Sequence, residues 1–263
     1  MAPNCLLYNM DCLEAMQKIC APFINLTVTS PPYNIGKEYE NALPIDEYLD
    51  WCKKWITEIH RLTLSNGSLW LNLGYIAIDG RAKAIPLPYL LWKQVPFFLI
   101  QEVVWNYGAG VAGRKFYSPR NEKFLWYVKD ENEYIFNLDD VRDPNVKYPN
   151  QKKNGKIKVN PNGKNPSDVW QFPKVTSGKN RSSKERTPHP AQFPEAVITR
   201  IIKASSNSGE IILDPFMGSG TTAVSSLRFG RRVVGFEVNN LYCRTAADRI
   251  DDFLRNSETL WCI

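Results

Sequence analysis

Glu210-Ile211-Ile212-Leu213-Asp214-Pro215-Phe216-Met217-Gly218-Ser219-Gly220-Thr221-Thr222 is the stretch whose reading decides the fold. Its opening residues, an apolar run between two acids, predict a short buried strand ending at Asp214. Pro215 stops that strand, because proline has no N–H to give to a ladder. Gly218-Ser219-Gly220-Thr221-Thr222-Ala223 then approximates G-x-G-x-x-G/A, and a helix to about Phe229 follows. Strand, glycine-rich turn and helix in that order begin a nucleotide-binding βα unit. Glu237 closes the next expected strand, Arg232–Val238, 19 residues after Gly218. An acid there accepts both hydroxyls of a ribose. No Gly-Lys-Ser/Thr follows the turn, so it is not a phosphate-binding P-loop. Asp214 would repel phosphates at the strand end, yet it suits a cationic ligand such as a sulfonium. That favours S-adenosylmethionine over NAD. A tight turn without any ligand is the rival reading of Gly218 and Gly220.

The chain on either side repeats the alternation. Glu195–Ala204 places Val197, Ile198, Ile201 and Ile202 on one helical face, and Leu241–Leu254 is the last expected helix. Toward the N-terminus, Cys5–Asn9 and Phe23–Val28 read as strands around a short helix, Leu13–Ile19. Ile45–Leu64 is amphipathic, Ser65-Asn66-Gly67 is expected to end it in a turn, and Ser68–Leu73 is the next strand. A helix is expected at Tyr89–Val95, and strands at Leu99–Trp105 and Lys123–Lys129. Gly108, Gly110 and Gly113 with Arg114 and Lys115 form a flexible basic loop between those two strands. The alternation implies an α/β fold with a mostly parallel, doubly wound sheet.

Ser30-Pro31-Pro32-Tyr33 follows the first buried strand after the helix at 13–19. Its prolines remove backbone donors and leave a rigid cluster of acceptors, the Ser30 hydroxyl and nearby carbonyls, beside the Tyr33 ring. Such a corner suits a planar group carrying an exocyclic NH2, as on a nucleobase. A plain Pro-Pro turn is the alternative. Asn34–Pro44 has no periodicity and reads as a loop that could close over a ligand.

The chain has 263 residues, enough for one large α/β domain or one domain with an insertion. No apolar run is long enough for a transmembrane helix, and the N-terminus lacks the charged region of a signal peptide. Six scattered cysteines without a C-x-x-C pair favour free thiols in a reducing cytoplasm. His60 and His189 are the only histidines, which gives a zinc site little to build on, and no metal is expected. Net charge is +6, but residues 147–186 hold 11 Lys or Arg against 2 acids, a local +9, so the remainder sums to −3. That concentration is the footprint of a polyanion contact, with a solvated loop as the other reading. Pro, Asn, Gly and Lys dominate residues 137–188, where only Ser167–Trp170 looks structured. The stretch is expected to be an insertion, too short and polar for its own core.

Thr29–Asn34 and Asp214–Thr222 together resemble the exocyclic-amino DNA methyltransferases of prokaryotic restriction–modification systems. The Ser-Pro-Pro-Tyr corner precedes the glycine turn, as in the circularly permuted β group. Asn9–Leu13, His189–Pro194 and Val234–Glu237 are similar to further segments of that family. The resemblance spans residues 5–129 and 187–254 and implies a Rossmann-like, S-adenosylmethionine-dependent sheet in permuted order. It divides the chain into a catalytic half (1–136), a target-recognition insertion (137–187) and a cofactor half (188–263). It implies Ser30, Pro31, Pro32 and Tyr33 as the catalytic corner. It implies Asp11, Ser30, Phe193, Asp214, Phe216, Gly218, Gly220, Thr221 and Glu237 as cofactor residues. Lys152, Lys153, Lys156 and Arg181 are the expected DNA contacts. Family members with Ser-Pro-Pro-Tyr typically modify cytosine N4, and those with Asp-Pro-Pro-Tyr adenine N6. The implied partner is double-stranded DNA in a prokaryotic cytoplasm, with base flipping. The recognition segment is short, which leaves room for a homodimer, and a cognate restriction endonuclease would act separately. Asn239-Asn240 departs from the family's usual Asn-Pro. An adenine-N6 enzyme, a protein-glutamine or RNA methyltransferase, and a DNA-binding module with a dead cofactor site are the rivals. The last two are disfavoured by the motif order and by the intact Asp214, Gly218, Gly220 and Glu237.

Overall fold

The computed structural model describes residues 4–37, 40, 42–108, 110, 112–176 and 183–259. The first half contains β1 (Cys5–Tyr8), α1 (Cys12–Gln17), β2 (Ile24–Thr29), α2 (Ile45–Leu62), β3 (Thr63–Leu73), the hairpin β4 (Tyr75–Ile78) and β5 (Ala82–Pro86), and α3 (Leu87–Leu91). Next come β6 (Phe98–Asn106), β7 (Asn121–Val128), the two-residue strands β8 (Lys152–Lys153) and β9 (Lys156–Ile157), and β10 (Val169–Gln171). The chain closes with α4 (Glu195–Ser205), β11 (Ile211–Asp214), α5 (Thr221–Arg228), β12 (Arg232–Phe236) and α6 (Asn240–Thr259).

Among the described residues the main sheet has eight strands in the order β1-β12-β11-β2-β3-β7-β6-β10. The β3/β7 and β7/β6 pairs are antiparallel and all other neighbours are parallel. β2 and β11 lie side by side although residues 30–210 separate them in sequence. Their apolar runs are buried on both faces, as central parallel strands are. α2 turns Tyr48, Cys52, Trp55, Ile56, Ile59 and Leu62 to one face of the sheet. α4 covers the other with Val197, Ile198, Ile201 and Ile202, packed on Leu26, Val28 and Ile212. α5 and α6 pack beside β1 and β12. The expected doubly wound α/β sheet is therefore present.

Two expectations are corrected. Ser65-Asn66-Gly67 is no turn: α2 ends at Leu62 and the chain enters β3 directly, with Thr63 N–H on the last carbonyls of the helix. A Cβ at Gly67 would approach Ile24 O to 3.0 Å, and the β2/β3 register shifts beside it, so the glycine marks a strand irregularity instead. The described residues of 137–188 hold more order than expected. A 3₁₀ turn covers Leu138–Val141, and β8 and β9 form a hairpin whose Asn154-Gly155 turn has φ +53° and +77°. β10 joins the main sheet beside β6, and its Trp170 stacks on Trp70 with centroids 5.6 Å apart. The segment borrows the core of the domain because it cannot build one.

Candidate active site

β1, β12, β11, β2 and β3 all end at one edge of the sheet; β7 begins there, and β6 and β10 end there. Strand order reverses between β11 and β2, which opens the crevice where doubly wound sheets bind ligands. Asp214 sits at that point, 3% exposed. Its Oδ1 accepts from Thr29 Oγ1 (2.8 Å) and Phe216 N (3.1 Å), and its Oδ2 from Thr222 Oγ1 (2.6 Å). Burial raises its pKa to about 6 against the pull of those donors. Asp214 thus ties β2 to β11, and both its oxygens serve its own chain.

The turn after β11 is built for close approach. Gly218 and Gly220 have φ +53° and +79°, where side chains are strained. A Cβ on Gly218 would come within 3.0 Å of His189 Nε2. Glu237 closes the other wall: its Oε2 accepts from Gly218 N (2.8 Å) and its Oε1 from Asn239 N (2.8 Å). Burial raises the Glu237 pKa. Asn9, which sequence reasoning did not single out as a site residue, donates to Glu237 O (2.7 Å) and Val238 O (3.0 Å) and bridges the β1 and β12 ends. Asp11 is the N-cap of α1, its Oδ1 accepting from Leu13 N and Glu14 N at 2.8 and 3.1 Å. Phe216 packs its ring on Trp51 and Trp55, with centroids 5.7 and 5.2 Å away. Thr221 opens α5 and accepts from Arg249 Nη1 (3.1 Å). The Phe193 ring lies in the core between Trp105 and Phe124, so only the backbone near Thr221 brings it toward the turn.

Across the crevice, Ser30–Tyr33 continues from β2. Ser30 Oγ donates to Tyr33 Oη (3.0 Å), and Tyr33 Oη donates to Asn72 Oδ1 (2.6 Å) at the end of β3. Glu122 Oε2, near the start of β7, lies 3.4 Å from Tyr33 Oη. Glu122 Oε1 pairs with Lys174 Nζ at 2.8 Å, and that ammonium sits 3.9 Å from the centroid of the Tyr107 ring. Asn72, Glu122 and Lys174 carry no local sequence signal for this role; sheet register alone assembles them. The Tyr33 ring lies against Gly74, where a Cβ would come within 2.8 Å of it. Tyr48 Oη donates to Pro32 O (2.7 Å), so α2 holds the corner from behind.

The expected DNA contacts are elsewhere. Lys152, Lys153 and Lys156 are exposed on the β8–β9 hairpin, a separate small sheet. Arg181 lies outside the described residues.

Comparison with known proteins places the chain in a family. Residues 24–248 match the N6/N4 methylase family, described as DNA methylase. The chain belongs to this family. It is 61% identical over 246 residues to the Type II methyltransferase M.ScaI of Streptomyces caespitosus, covering 94% of this chain and 81% of that protein. It is 34% identical to the DNA adenine methyltransferase YhdJ of Escherichia coli, over 92% of this methylase and 81% of the relative. The fold superimposes on the PvuII DNA methyltransferase (cytosine-N4-specific) with a TM-score of 0.72 at 19% identity, over 95% and 91% of the two chains. A complex of M1.HpyAVI with SAM matches with a TM-score of 0.61 at 22% identity, over 94% and 98%. Among the described residues no helix of the methylase is long and apolar enough to cross a membrane.

Proposed function

We propose that this methylase transfers a methyl group from S-adenosylmethionine to the exocyclic N4 of cytosine in duplex DNA, with the base flipped out of the helix. One observation carries the reading: the Ser30 corner and the Gly218–Glu237 turn face each other across the switch point, joined by the Thr29–Asp214 hydrogen bond of 2.8 Å. The residues present fit the cofactor. Each Glu237 oxygen already accepts one N–H, at 2.8 Å, and keeps a lone pair for a ribose hydroxyl. The left-handed glycines let a ligand lie on bare backbone. The Asp214 charge, saturated by hydrogen bonds, favours a nearby cation without being spent on a direct contact. S-adenosylmethionine, when bound, supplies an electrophilic methyl on a sulfonium.

The chain's own residues do the rest. A duplex hides its bases, and extruding one costs roughly a few kcal/mol. Stacking on the Tyr33 ring returns about 1–3 kcal/mol. The amino nitrogen is a weak nucleophile because its lone pair is delocalised into the ring. Ser30 Oγ accepts one amino proton while its own hydrogen points to Tyr33 Oη, 3.0 Å away. The Pro31 carbonyl accepts the other. These bonds draw the nitrogen toward tetrahedral geometry and free its lone pair, so positioning and electrostatics carry the acceleration. Glu122 and Lys174 neutralise each other at 2.8 Å, which keeps the pocket wall suited to an uncharged base. No Pro-Cys occurs in the chain, so the covalent route to cytosine C5 has no nucleophile of the usual kind.

The choice of cytosine over adenine rests on Ser30. The Ser30 hydroxyl, its hydrogen directed to Tyr33 Oη, offers an acceptor to the amino group of either base. The choice of cytosine follows from the Ser-Pro-Pro-Tyr corner, which family members that modify cytosine N4 typically carry. Mass spectrometry of nucleosides from DNA methylated by the purified protein tests it. N4-methylcytosine is the expected product. N6-methyladenine as the main product would refute the cytosine assignment and leave family membership untouched.

A further inference from the structure

The loop between β6 and β7 leaves and re-enters the sheet at the edge that carries Ser30. Tyr107 N donates to Arg120 O (3.0 Å) and closes its neck, directly before the Asn106/Asn121 pair. Asn121 Oδ1 accepts from Tyr75 Oη (2.9 Å), and Glu122 reaches Tyr33 Oη, so the neck stands beside the catalytic corner. The tip is a compact turn. Gly113 N donates to Ser118 Oγ (2.8 Å), and a Cβ on Gly113 would collide with Phe116 O. This turn holds Phe116 and Tyr117 outward, 60% and 101% exposed. Arg114 and Lys115, both exposed, precede them. Four residues span at most about 14 Å, so Tyr117 cannot stand farther than that from Asn121. Singly exposed aromatics need no explanation. Two adjacent rings presented by a closed basic turn beside a nucleobase pocket do.

We propose that Phe116 and Tyr117 enter the base stack of duplex DNA and fill the gap left by the flipped base, with Arg114 and Lys115 on the flanking phosphates. The inference rests on the reading of this chain as a duplex-DNA methylase, and it is independent of whether cytosine or adenine is the target. Extruding a base leaves two neighbours unstacked around a void. An aromatic ring restores stacking on both sides whatever their sequence, because every base has a π-face. The two cations complement the backbone that brackets the void.

The test compares Tyr117→Ala with the unaltered protein on two duplexes, after modified-base sequencing has supplied the recognition site. In one duplex the target is paired. In the other the base opposite it is replaced by an abasic site, so that flipping no longer breaks a pair. The single-turnover rate of the variant should fall about 10-fold on the paired duplex and stay within about 2-fold on the other. Tyr117→Phe, which keeps the ring, should methylate the paired duplex within about 2-fold of the unaltered protein. An equal loss on both duplexes, no loss on either, or a Tyr117→Phe variant as slow as Tyr117→Ala would each overturn the proposal. Absence of methylation by the unaltered protein on both duplexes would instead sink the duplex-DNA reading itself.

Discussion

The two sides of the switch point are built by different means. On the β11 side each acid is engaged mainly by backbone or hydroxyl donors close to it in sequence: Asp214 by Thr222 and Phe216, with Thr29 reaching across from β2, Glu237 by Asn239 and by Gly218 of the preceding turn, Asp11 by Leu13 and Glu14. On the β2 side the polar groups meet side chain to side chain, with Ser30, Tyr33, Asn72, Glu122 and Lys174 drawn from distant parts of the chain. The first arrangement is rigid before any ligand arrives. The second depends on sheet register and on a lysine from the basic segment. Cofactor affinity and target chemistry should therefore come apart when single residues are changed.

The largest expected effect is on Ser30. Removing one hydrogen-bonding group that acts on the reacting atoms typically costs 10²–10³ in kcat. Ser30→Ala should lose a comparable factor in single-turnover methylation, while calorimetry shows S-adenosylmethionine affinity within about 2-fold. A parallel loss of cofactor affinity would show that the two sides are one unit.

Next is His189, which packs against Tyr242 with centroids 4.4 Å apart and faces Gly218. Burial lowers its pKa from 6.5 to about 4. A lowered pKa means that its stabilising contribution is present above pH 6.5 and lost as pH falls toward 4. At 1.36 kcal/mol per pH unit, the loss by pH 4.5 is about 2–3 kcal/mol. Asp214 works in the opposite sense. Its pKa is raised from 3.8 to about 6, so its share is present below 3.8 and lost as pH rises through 6. Urea unfolding of His189→Gln between pH 7 and 4.5 separates the two. The variant should lose less stability on acidification than the unaltered protein, and parallel curves would refute the assignment.

Glu237→Ala should weaken S-adenosylmethionine binding by roughly 1–3 kcal/mol, the usual consequence of leaving polar partners unpaired. The Gly218 N–H loses its acceptor as well, so some of this is turn geometry. Because burial raises the Glu237 pKa, affinity in the unaltered protein should also fall as the carboxyl protonates on acidification. Unchanged affinity in the variant would remove Glu237 from the site.

The division between the two sides also explains what could be read from sequence. Asp214, Gly218, Gly220 and Glu237 were legible because strand end, left-handed turn and next strand end lie within 24 residues and obey local backbone rules. Ser30–Tyr33 was legible because two prolines leave a recognisable cluster of acceptors. Asn72, Glu122 and Lys174 were not. Asn72 pairs with Phe124 across an antiparallel ladder between strands some fifty residues apart, and Lys174 reaches Glu122 only because β10 docks on β6. No local pattern encodes either pairing. The Asn154-Gly155 hairpin was missed, although its dipeptide is a strong hairpin signal, because the polar composition around it read as an unstructured insertion. At Ser65-Asn66-Gly67 local propensity pointed to a turn, and the tertiary demand for a close approach of β3 to β2 prevailed.

The smallest expected effect falls on that hairpin. Lys152, Lys153 and Lys156 are exposed, on strands of two residues each. Nothing in the main sheet's ladders depends on them. If they meet DNA phosphates, each contact releases counterions, and its loss lowers the slope of log K against log salt by up to about 0.9. The triple Ala variant should show that reduced slope, with S-adenosylmethionine affinity and thermal stability unaltered. Its methylation rate at saturating DNA should also hold, because the corner at Ser30 is untouched. Binding titrations at several salt concentrations measure the slope directly. An unaltered slope together with unaltered affinity would make the hairpin a bystander and shift the polyanion contact to the other basic residues of 147–186, or to the β6–β7 loop.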